Sequence, residues 1–418
     1  MEVFLYLIIL LFAFLGTPIF IVMALGTAVA FYFAQIDLSA MAIEIYRLAS
    51  APTILTIPLF TLAGYIMAQS NSPKRLVTLA NASLGWLPGG VSVVSLIICA
   101  FFTAFTGASG VTIIALGGLL LPMLIQQGQT EKFSLGLITT SGSLGLLFAP
   151  SLPLILYGIV AKVSIEKLFI AGIIPGTLLI IVLSIYSIYK NDSKTRVQFN
   201  SKNLVEGIYQ ARYELPIPFI VLGGIYSGLI TPTEASVLTV FYVILIECFL
   251  YRDLDLIKDI PSIAKESMSL VGAILIILCC ALALTNYLVD EEIPMQMLAF
   301  IKEHVSNKYV FLILLNIFLL GVGAVMDIFS AIVVVVPLIL PIAADFGIDP
   351  IHLAIIFLTN LEIGYITPPI GINLFISSFR FDRSVIELYK STFPFLILLI
   401  FALLLITFIP ELSLFLLG

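Results

Sequence analysis

Apolar runs long enough to cross a lipid bilayer recur from one end of the chain to the other, and they constrain its fold more than any other feature. Hydrophobic residues make up 61% of the 418 residues and charged residues only 11%, with a mean hydropathy of +1.18. A soluble domain, with about 45–50% apolar and about 25% charged residues, could not bury this much apolar surface. The runs are continuous rather than alternating, which favours helices over a β-barrel. The sequence therefore predicts an all-α polytopic membrane protein.

Matching residues at a separation of 219 positions indicate an internal duplication. Thr140 and Thr359 have this separation, as do Leu121 and Leu340. Proline and glycine matches carry more weight, because chance matches are frequent in a leucine-rich chain; they are Pro122 with Pro341, Gly145 with Gly364, and Pro150 with Pro369. A helix break at corresponding positions in two halves is the best sequence indicator of a transporter binding site.

The break in the second half lies in the stretch "TNLEIGYITPPIGINLF". Pro368 and Pro369 should end the helix 351–366 and allow another to begin near residue 370, and the carbonyls of Gly364 and Tyr365 then lose their helical donors. Lipid supplies no replacement, so a bound cation is one partner for these carbonyls. The start of the next helix offers N–H groups that suit a carboxylate. The alternative is a proline kink that neighbouring helices cover.

Two acidic residues accompany this break. Glu362 lies five residues before Thr367 inside an apolar run, and Asp327 precedes the apolar run 328–346. An ionisable residue inside a membrane segment is a functional candidate by default. Glu362 either lines the pathway or faces a neighbouring polar group. Asp327 is expected mainly to cap the helix 328–346, since Asp is a preferred N-cap residue, with a direct role in ion binding as the alternative.

Small and hydroxyl residues cluster at 106–112, "TGASGVT", just before an apolar helix in the first half. Small residues allow close packing between membrane helices. The same residues suit the tip of a re-entrant hairpin that faces an ion site. Both interpretations remain open at the level of sequence.

One long polar stretch, residues 190–214, divides the chain into a first half, 1–189, and a second half, 215–418. Its basic residues are Lys190, Lys194, Arg196, Lys202 and Arg212. The positive-inside tendency predicts that this connecting loop is cytoplasmic. Each half is expected to contain scaffold helices, one hairpin and one broken helix.

Several functional classes are disfavoured by the composition. The four cysteines lie in apolar runs, which predicts packing rather than disulfides or a metal site. The sequence has no basic patch of the kind that binds nucleic acid. It also has no G-x-x-x-x-G-K-[ST] motif, which an ATP-driven pump would need. The stretch "GASG" at 107–110 fits a GxSG pattern of intramembrane serine proteases, but the only histidines, His304 and His352, lie outside the deep apolar runs. An enzyme is therefore not expected, and the protease stays a remote alternative.

Five landmarks run over nearly the whole chain: "IPLFTLAGYIMAQS" at 57–70, "FFTAFTGASGVT" at 101–112, "SGSLGLLFAPSLPLILYG" at 141–158, "TPTEASVLTVFY" at 231–242 and "LEIGYITPPIGINLF" at 361–375. With these motifs the chain resembles the large membrane subunit, the DctM-like M subunit, of tripartite ATP-independent periplasmic (TRAP) transporters. The last motif is the most specific. The resemblance implies an inverted-repeat, elevator-type fold with re-entrant hairpins and broken helices, in the bacterial inner membrane.

The resemblance also implies that Na⁺ is the coupling ion and that no organic cofactor is needed. By analogy its ligands lie at hairpin tips and helix breaks, which here are Thr106, Ser109, Ser141, Gly142, Gly145 and Pro150 in the first half, and Gly323, Asp327, Asn360, Gly364, Thr367 and Pro369 in the second. The residues expected to bind substrate are Ser109, Ser143, Thr367 and Asn373.

The implied partners are a small four-helix membrane subunit (Q subunit), a periplasmic solute-binding protein (P subunit) that delivers the substrate, and the lipid bilayer. The implied substrate is a small organic anion: a C4-dicarboxylate, another carboxylate or sialic acid. A stand-alone Na⁺/carboxylate symporter of a related fold, which needs no binding protein, is the main alternative.

Overall fold

A computed structural model describes residues 5, 7–9, 11, 12, 15–87, 89–190, 199–305 and 307–418. Within these ranges the chain forms helices joined by short connections, and it contains no β-strand. The helices of the first half are α1 (Ile19–Phe33), α2 (Ser39–Ala49), α3 (Thr56–Gln69), α4 (Ser72–Leu84), α5 (Gly90–Thr106), α6 (Ser109–Gln126), α7 (Glu131–Ser141), α8 (Leu152–Ala161), α9 (Ile165–Ala171) and α10 (Ile173–Tyr189).

The remaining helices begin inside the segment at which the chain was predicted to divide. They are α11 (Ser201–Gln210), α12 (Pro216–Tyr226), α13 (Pro232–Leu250), α14 (Asp259–Asp290), α15 (Ile293–His304), α16 (Lys308–Val325), α17 (Ile328–Asp345), α18 (Pro350–Gly364), α19 (Ile372–Phe381), α20 (Val385–Phe408) and α21 (Glu411–Leu414).

Eight helices of the described ranges are long and apolar enough to cross a membrane. A bent pair, Glu131–Leu147 with Leu152–Ala161, becomes a ninth span if it is counted as one broken helix, and its two parts meet at 43°. This bend lies where the sequence predicts the break of the first half. The prediction of an all-α polytopic membrane protein is confirmed.

The two halves place corresponding helices at a constant separation. Helix α17 begins and ends 219 positions after α6 begins and ends, and α18 begins 219 positions after α7. Thr130 caps α7 with its side chain, and Asp349, 219 positions later, caps α18 in the same way. The hairpins α5–α6 and α16–α17 are thus equivalent, as are the broken helices α7–α8 and α18–α19. The inversion of one half relative to the other and the elevator motion stay predictions.

The two broken helices meet in one common core. Helix α8 packs against α17 of the other half, and α19 packs against α6. Ser143 and Glu362, which are 219 positions apart, touch directly: the Ser143 hydroxyl donates to the Glu362 carbonyl oxygen at 3.4 Å. The Thr139 hydroxyl likewise donates to the Ser377 hydroxyl at 2.9 Å. Equivalent parts of the two halves therefore lie around a shared centre.

The predicted connecting loop contains a helix that the sequence analysis did not predict. Residues 191–198, with Lys194 and Arg196, lie outside the described residues. Beyond them, α11 packs against α4, where a Cβ on Gly207 would lie only 3.0 Å from the Leu79 Cα. The stretch is polar overall, but its few apolar residues share one face. The many charged and polar residues around them make this amphipathic pattern difficult to recognise in the sequence.

Candidate functional site

The first break, residues 142–151, is tied to the hairpin α5–α6. The Thr103 hydroxyl of α5 lies 2.7 Å from the Gly142 carbonyl oxygen and 2.8 Å from the Thr112 hydroxyl of α6. Gly145 packs so closely on α5 that a Cβ there would lie 2.1 Å from the Ala100 carbonyl oxygen. The hairpin tip and the break therefore form one packed unit.

The second break, residues 365–371, is tied to the hairpin α16–α17 in a corresponding way. The amides of Ile370 and Gly371 both donate to the Ala324 carbonyl at 3.2 Å. A Cβ on Gly364 would lie 2.4 Å from the Gly323 carbonyl carbon. Each half thus joins a hairpin tip to a helix break through a glycine.

The two carbonyls that lose their helical donors at the second break have other backbone partners. The Gly364 carbonyl accepts from the Thr367 amide at 2.9 Å, and the Tyr365 carbonyl accepts from the Asn373 amide at 3.0 Å. Each carbonyl oxygen has a second lone pair, so both can still contact a cation. Neither carbonyl needs a cation in order to be satisfied.

Eleven buried side-chain oxygens of the described residues lack a hydrogen-bond partner, and six of them lie near the two breaks. The other five atoms belong to Glu44, Ser72, Asn81, Ser92 and Ser184. The six atoms near the breaks belong to five residues: Thr140 Oγ1 and Ser151 Oγ near the first break, and Asn360 Oδ1, Asn373 Oδ1 and both carboxylate oxygens of Glu362 near the second. These five residues are at most 1% exposed. An unsatisfied buried polar group costs about 1–3 kcal/mol, so each needs an explanation such as a bound water or ion. Oxygen atoms are the ligands that hard cations take, and the residues present therefore fit Na⁺.

The predicted ion ligands fall into two groups, one at each tip and break. Thr106, Ser109, Ser141, Gly142, Gly145 and Pro150 belong to the first group, and Gly323, Asp327, Asn360, Gly364, Thr367 and Pro369 belong to the second. The hydroxyls of Ser141 and Thr367 donate to the carbonyls of Ile138 and Ile363, at 3.1 and 2.9 Å. A hydroxyl that donates in this way still has lone pairs for a cation. Their assignment as ligands stays a prediction.

A cavity of about 350 Å³ lies between the two hairpin tips. The first tip contributes residues 107–111 and the second contributes Asp327 and Phe329. The other lining residues are Tyr65, Leu146, Leu270, Ala273, Ile274, Ile277, Tyr365, Ile372 and Ile376. The cavity therefore combines two helix starts with a largely apolar wall, the usual composition of a small-molecule site.

Of the four predicted substrate-binding residues, Ser109 lines this cavity and the other three do not. Ser143 is buried against the Glu362 carbonyl, and Asn373 donates to the Thr139 carbonyl at 3.2 Å. Thr367 lies in the second break. In this structure these three residues brace the breaks instead of facing the cavity.

The aromatic and aliphatic wall of the cavity could not be predicted from the sequence. Tyr65 and Tyr365 lie inside motifs that carry the family resemblance, but an aromatic residue in an apolar run does not reveal which side of its helix is open. The Tyr365 hydroxyl accepts from the Ile328 amide at 3.0 Å, so it also holds the second hairpin tip. The residues that α14 contributes to the wall are identified only by the packing of α14 against this core.

Neither histidine supports the protease alternative. The His352 ring nitrogens lie 3.2 Å from the Ser413 hydroxyl and 3.3 Å from the Thr407 carbonyl oxygen. His304 contacts the Phe300 carbonyl of its own helix at 2.9 Å. Within the described residues, neither ring makes a hydrogen bond to Ser109, which a serine nucleophile requires of its base.

Comparisons with known proteins find the same family across nearly the whole chain. The family model described as "Tripartite ATP-independent periplasmic transporter, DctM component" matches residues 5–412. An isethionate TRAP transporter permease, DctMQ of Oleidesulfovibrio alaskensis, is 35% identical over 98% of this chain, which spans 65% of that longer protein. The C4-dicarboxylate large permease DctM of Pseudomonas aeruginosa is 34% identical over 93% of this chain and 92% of its own length.

A third relative is named for another solute, and two solved structures share the fold. The ectoine/5-hydroxyectoine large permease UehC of Ruegeria pomeroyi is 31% identical over 99% of this chain and 98% of its own length. The YdaH transporter of Alcanivorax borkumensis matches with a TM-score of 0.59 and 13% identity, over 88% of this chain and 87% of that one. Neisseria gonorrhoeae MtrF matches with a TM-score of 0.52 and 12% identity, over 88% and 83%.

Proposed function

The chain belongs to the DctM component family of tripartite ATP-independent periplasmic transporters, and from this premise we propose that it imports a small organic anion together with Na⁺. It is a large permease subunit and a multi-pass protein of the inner membrane, not an enzyme. The proposed substrates are a C4-dicarboxylate, another carboxylate or sialic acid. Three relatives are named for isethionate, C4-dicarboxylates and ectoine, so the family accommodates different solutes.

Membrane subunits of this family work with a periplasmic binding protein and a small membrane subunit. We propose both as partners of this chain, with the small subunit as a four-helix protein. The binding protein would deliver the substrate to the cavity between the hairpin tips.

The observation that carries the Na⁺ proposal is the group of unpartnered oxygens at the two breaks. A cation bound among these buried oxygens would supply the partner that their burial requires. They lie next to the hairpin tips that line the cavity, so an ion at the breaks would stabilise the tips in a substrate-binding arrangement.

In the proposed mechanism, Na⁺ is bound first by Asn360 and the hydroxyl and carbonyl oxygens around it. The ordered tips then hold the substrate anion through helix N–H groups and hydroxyls. The domain that contains both hairpins and both breaks would slide against a scaffold of the remaining helices. Coupling follows if the fully loaded and the empty domain cross the membrane more readily than the half-loaded domain.

The test is uptake by proteoliposomes that contain the chain and its small subunit, with binding protein added outside. We expect an inward Na⁺ gradient to drive accumulation of a radiolabelled carboxylate, and an equal K⁺ gradient not to do so. Equal uptake with both cations would contradict Na⁺ symport. Full uptake without binding protein and small subunit would instead favour the stand-alone symporter.

Removing a hydroxyl at either break should weaken the response to Na⁺. We expect Ser141→Ala and Thr367→Ala each to raise the Na⁺ concentration for half-maximal uptake by about five- to tenfold, because one lost cation ligand of about 1 kcal/mol corresponds to this factor. The measurement is the Na⁺ dependence of initial uptake rates at a fixed substrate concentration.

Matched controls exist for both variants. Ser187 in α10 and Thr239 in α13 are buried and, like Ser141 and Thr367, donate to a carbonyl of a helix, but they lie away from the breaks. Ser187→Ala and Thr239→Ala should leave the Na⁺ dependence unchanged. A wild-type Na⁺ response in both Ser141→Ala and Thr367→Ala would show that these hydroxyls are not ligands.

A further inference from the structure

The two hairpin tips differ at one pair of equivalent positions. Ala108 precedes α6 and Asp327 precedes α17, and they lie 219 positions apart like the helices that they precede. Both residues have extended backbone and occupy the N-cap position, and both line the cavity. One helix start therefore has a carboxylate of its own and the other has a methyl group.

The start of α17 is fully occupied by protein groups. Asp327 Oδ1 accepts from the amides of Phe329 and Ser330, each at 3.0 Å, and Oδ2 accepts from the Ser330 hydroxyl. The Ile328 amide donates to the Tyr365 hydroxyl. The first three amides of this helix thus have partners, and its positive end already faces an anion. A substrate carboxylate has no open amide donor among these three.

The start of α6 is open. No side chain caps it, and α6 is an 18-residue helix, so the N–H groups of Ser109, Gly110 and Val111 lack intrahelical partners. The Ser109 side chain lines the cavity at 5% exposure and makes no hydrogen bond within the described residues. A buried, unpartnered hydroxyl beside unpaired amides indicates a ligand with acceptor oxygens.

The rest of the cavity has no cationic group that would attract a second anion. Among the described residues its lining contains no Lys, Arg or His, Asp327 is its one charged residue, and the hydroxyls of Tyr65 and Tyr365 are neutral. Four α14 side chains, Leu270, Ala273, Ile274 and Ile277, form an apolar wall that Ile372 and Ile376 of α19 extend. A second carboxylate would lie against hydrocarbon or near the Asp327 carboxylate, and both are unfavourable.

On the premise of the proposed function, we infer that the substrate anion binds at the start of α6, in the place that Asp327 takes at the start of α17. It further follows that the preferred substrate has one anionic group and an apolar body. The anion accepts from the α6 amides and the Ser109 hydroxyl, and the body packs on the apolar wall. The chain supplies one of the two equivalent anions, and the substrate supplies the other.

The direct test is Ala108→Asp, which gives α6 the same internal carboxylate that α17 has. Asp is a preferred N-cap residue in this extended conformation, so the variant should stay folded. Its carboxylate should displace and repel the substrate anion, and we expect Na⁺-driven uptake to fall by roughly two orders of magnitude. The measurement compares initial uptake rates and thermal stability in the reconstituted complex.

Leu38→Asp is the control for an added carboxylate at a helix start outside the cavity. Leu38 is the exposed N-cap residue of α2, with helical backbone, and the neighbouring Asp37 carboxylate already accepts from the Ser39 amide. It should retain wild-type uptake. Wild-type uptake by a folded Ala108→Asp variant would overturn the inference, whereas absence of Na⁺-driven uptake by the wild-type complex would overturn the proposed function itself.

A second measurement uses the unmodified chain and stays informative if the Ala108 variant does not fold. Succinate and 4-methylpentanoate differ by replacement of one carboxylate with an isopropyl group of similar shape. We expect 4-methylpentanoate to bind the purified chain with its small subunit, in Na⁺ buffer, about tenfold more tightly than succinate, because the isopropyl group gains apolar contacts and avoids Asp327. Tighter binding of succinate in isothermal titration would overturn the substrate preference.

Discussion

Replacing Arg75 with alanine is expected to lower the free energy of unfolding by about 3–5 kcal/mol, because it leaves buried carboxylates without their counter-ion. Arg75 pairs through its Nε with Glu214, through Nη1 with Asp253 at 2.5 Å, and through Nη2 with Glu247 at 2.9 Å. The side chains of Glu214 and Glu247 are fully buried. One guanidinium thus joins α4 to α13, to the segment between α11 and α12, and to the segment that follows α13.

The pKa of Asp253 is consistent with this role of Arg75. Burial alone would raise the pKa of this carboxyl, but hydrogen bonds from Asn71 and Arg75 outweigh burial and hold the pKa below its ordinary value. A carboxyl with a lowered folded-state pKa stabilises the fold above its unfolded-state pKa, and this contribution is lost as the pH falls through the folded value. Removal of Arg75 should remove much of that contribution.

Arg47→Ala is the control, since the Arg47 side chain is 58% exposed and pairs with the partly buried Glu44 within one turn of the same helix, and a pair with an exposed partner contributes little. Chemical unfolding in detergent, followed by tryptophan or tyrosine fluorescence, measures both variants. Arg75→Ala with a midpoint equal to that of Arg47→Ala would contradict the assigned importance of the cluster.

The second large effect is expected at the glycines that join each hairpin to its break. Gly145→Ala and Gly364→Ala each place a Cβ within 2.1–2.4 Å of a backbone atom of the facing helix. A backbone cannot move aside as a flexible side chain can, so each variant should lose about 3 kcal/mol or more. Separation of the tip from its break should also abolish Na⁺-driven uptake by any folded fraction.

Gly321→Ala tests whether the loss depends on this close contact. Gly321 lies within α16, and a Cβ there meets nothing within 4 Å. Alanine should be tolerated at this position and should raise the free energy of unfolding by up to about 1 kcal/mol, because its helix propensity is higher than that of glycine. Amounts of monodisperse protein after size-exclusion chromatography and uptake rates compare the three variants. Equal amounts of protein and equal uptake rates for all three variants would show that close packing at Gly145 and Gly364 is not required.

The sequence predicts those parts of the fold that depend on local chemistry. Pro150 and Pro369 lie in the two breaks, where proline removes a helical N–H donor, although Pro122 and Pro341 lie inside α6 and α17. Asp327 caps α17 because its side chain accepts from amides two and three residues later. The separation of 219 positions between matching prolines and glycines corresponds to the separation of whole helices. These features can be predicted without knowing which helices are in contact.

Features that depend on contacts between distant segments could not be predicted. The partners of Arg75 lie 139 to 178 positions away, and nothing in the local sequence identifies them. The cavity wall is made of ordinary leucine, alanine and isoleucine residues of α14, which resemble every other apolar residue of the chain. The separation of 219 positions relates Ala108 to Asp327 in the sequence, but only the helix bounds show that both are N-cap residues.

The central claim is that the two breaks hold Na⁺, and equilibrium binding to the purified chain tests it most directly. Titration with NaCl or KCl at constant ionic strength, followed by thermal stability, separates specific binding from salt effects. We expect Na⁺ to stabilise the wild type by about 2.7 kcal/mol at a concentration one hundred times its dissociation constant, and K⁺ not to stabilise it. Asn360→Ala, which removes an unpartnered buried oxygen, should lose most of this stabilisation. Equal stabilisation of the wild type by Na⁺ and K⁺ would contradict the claim.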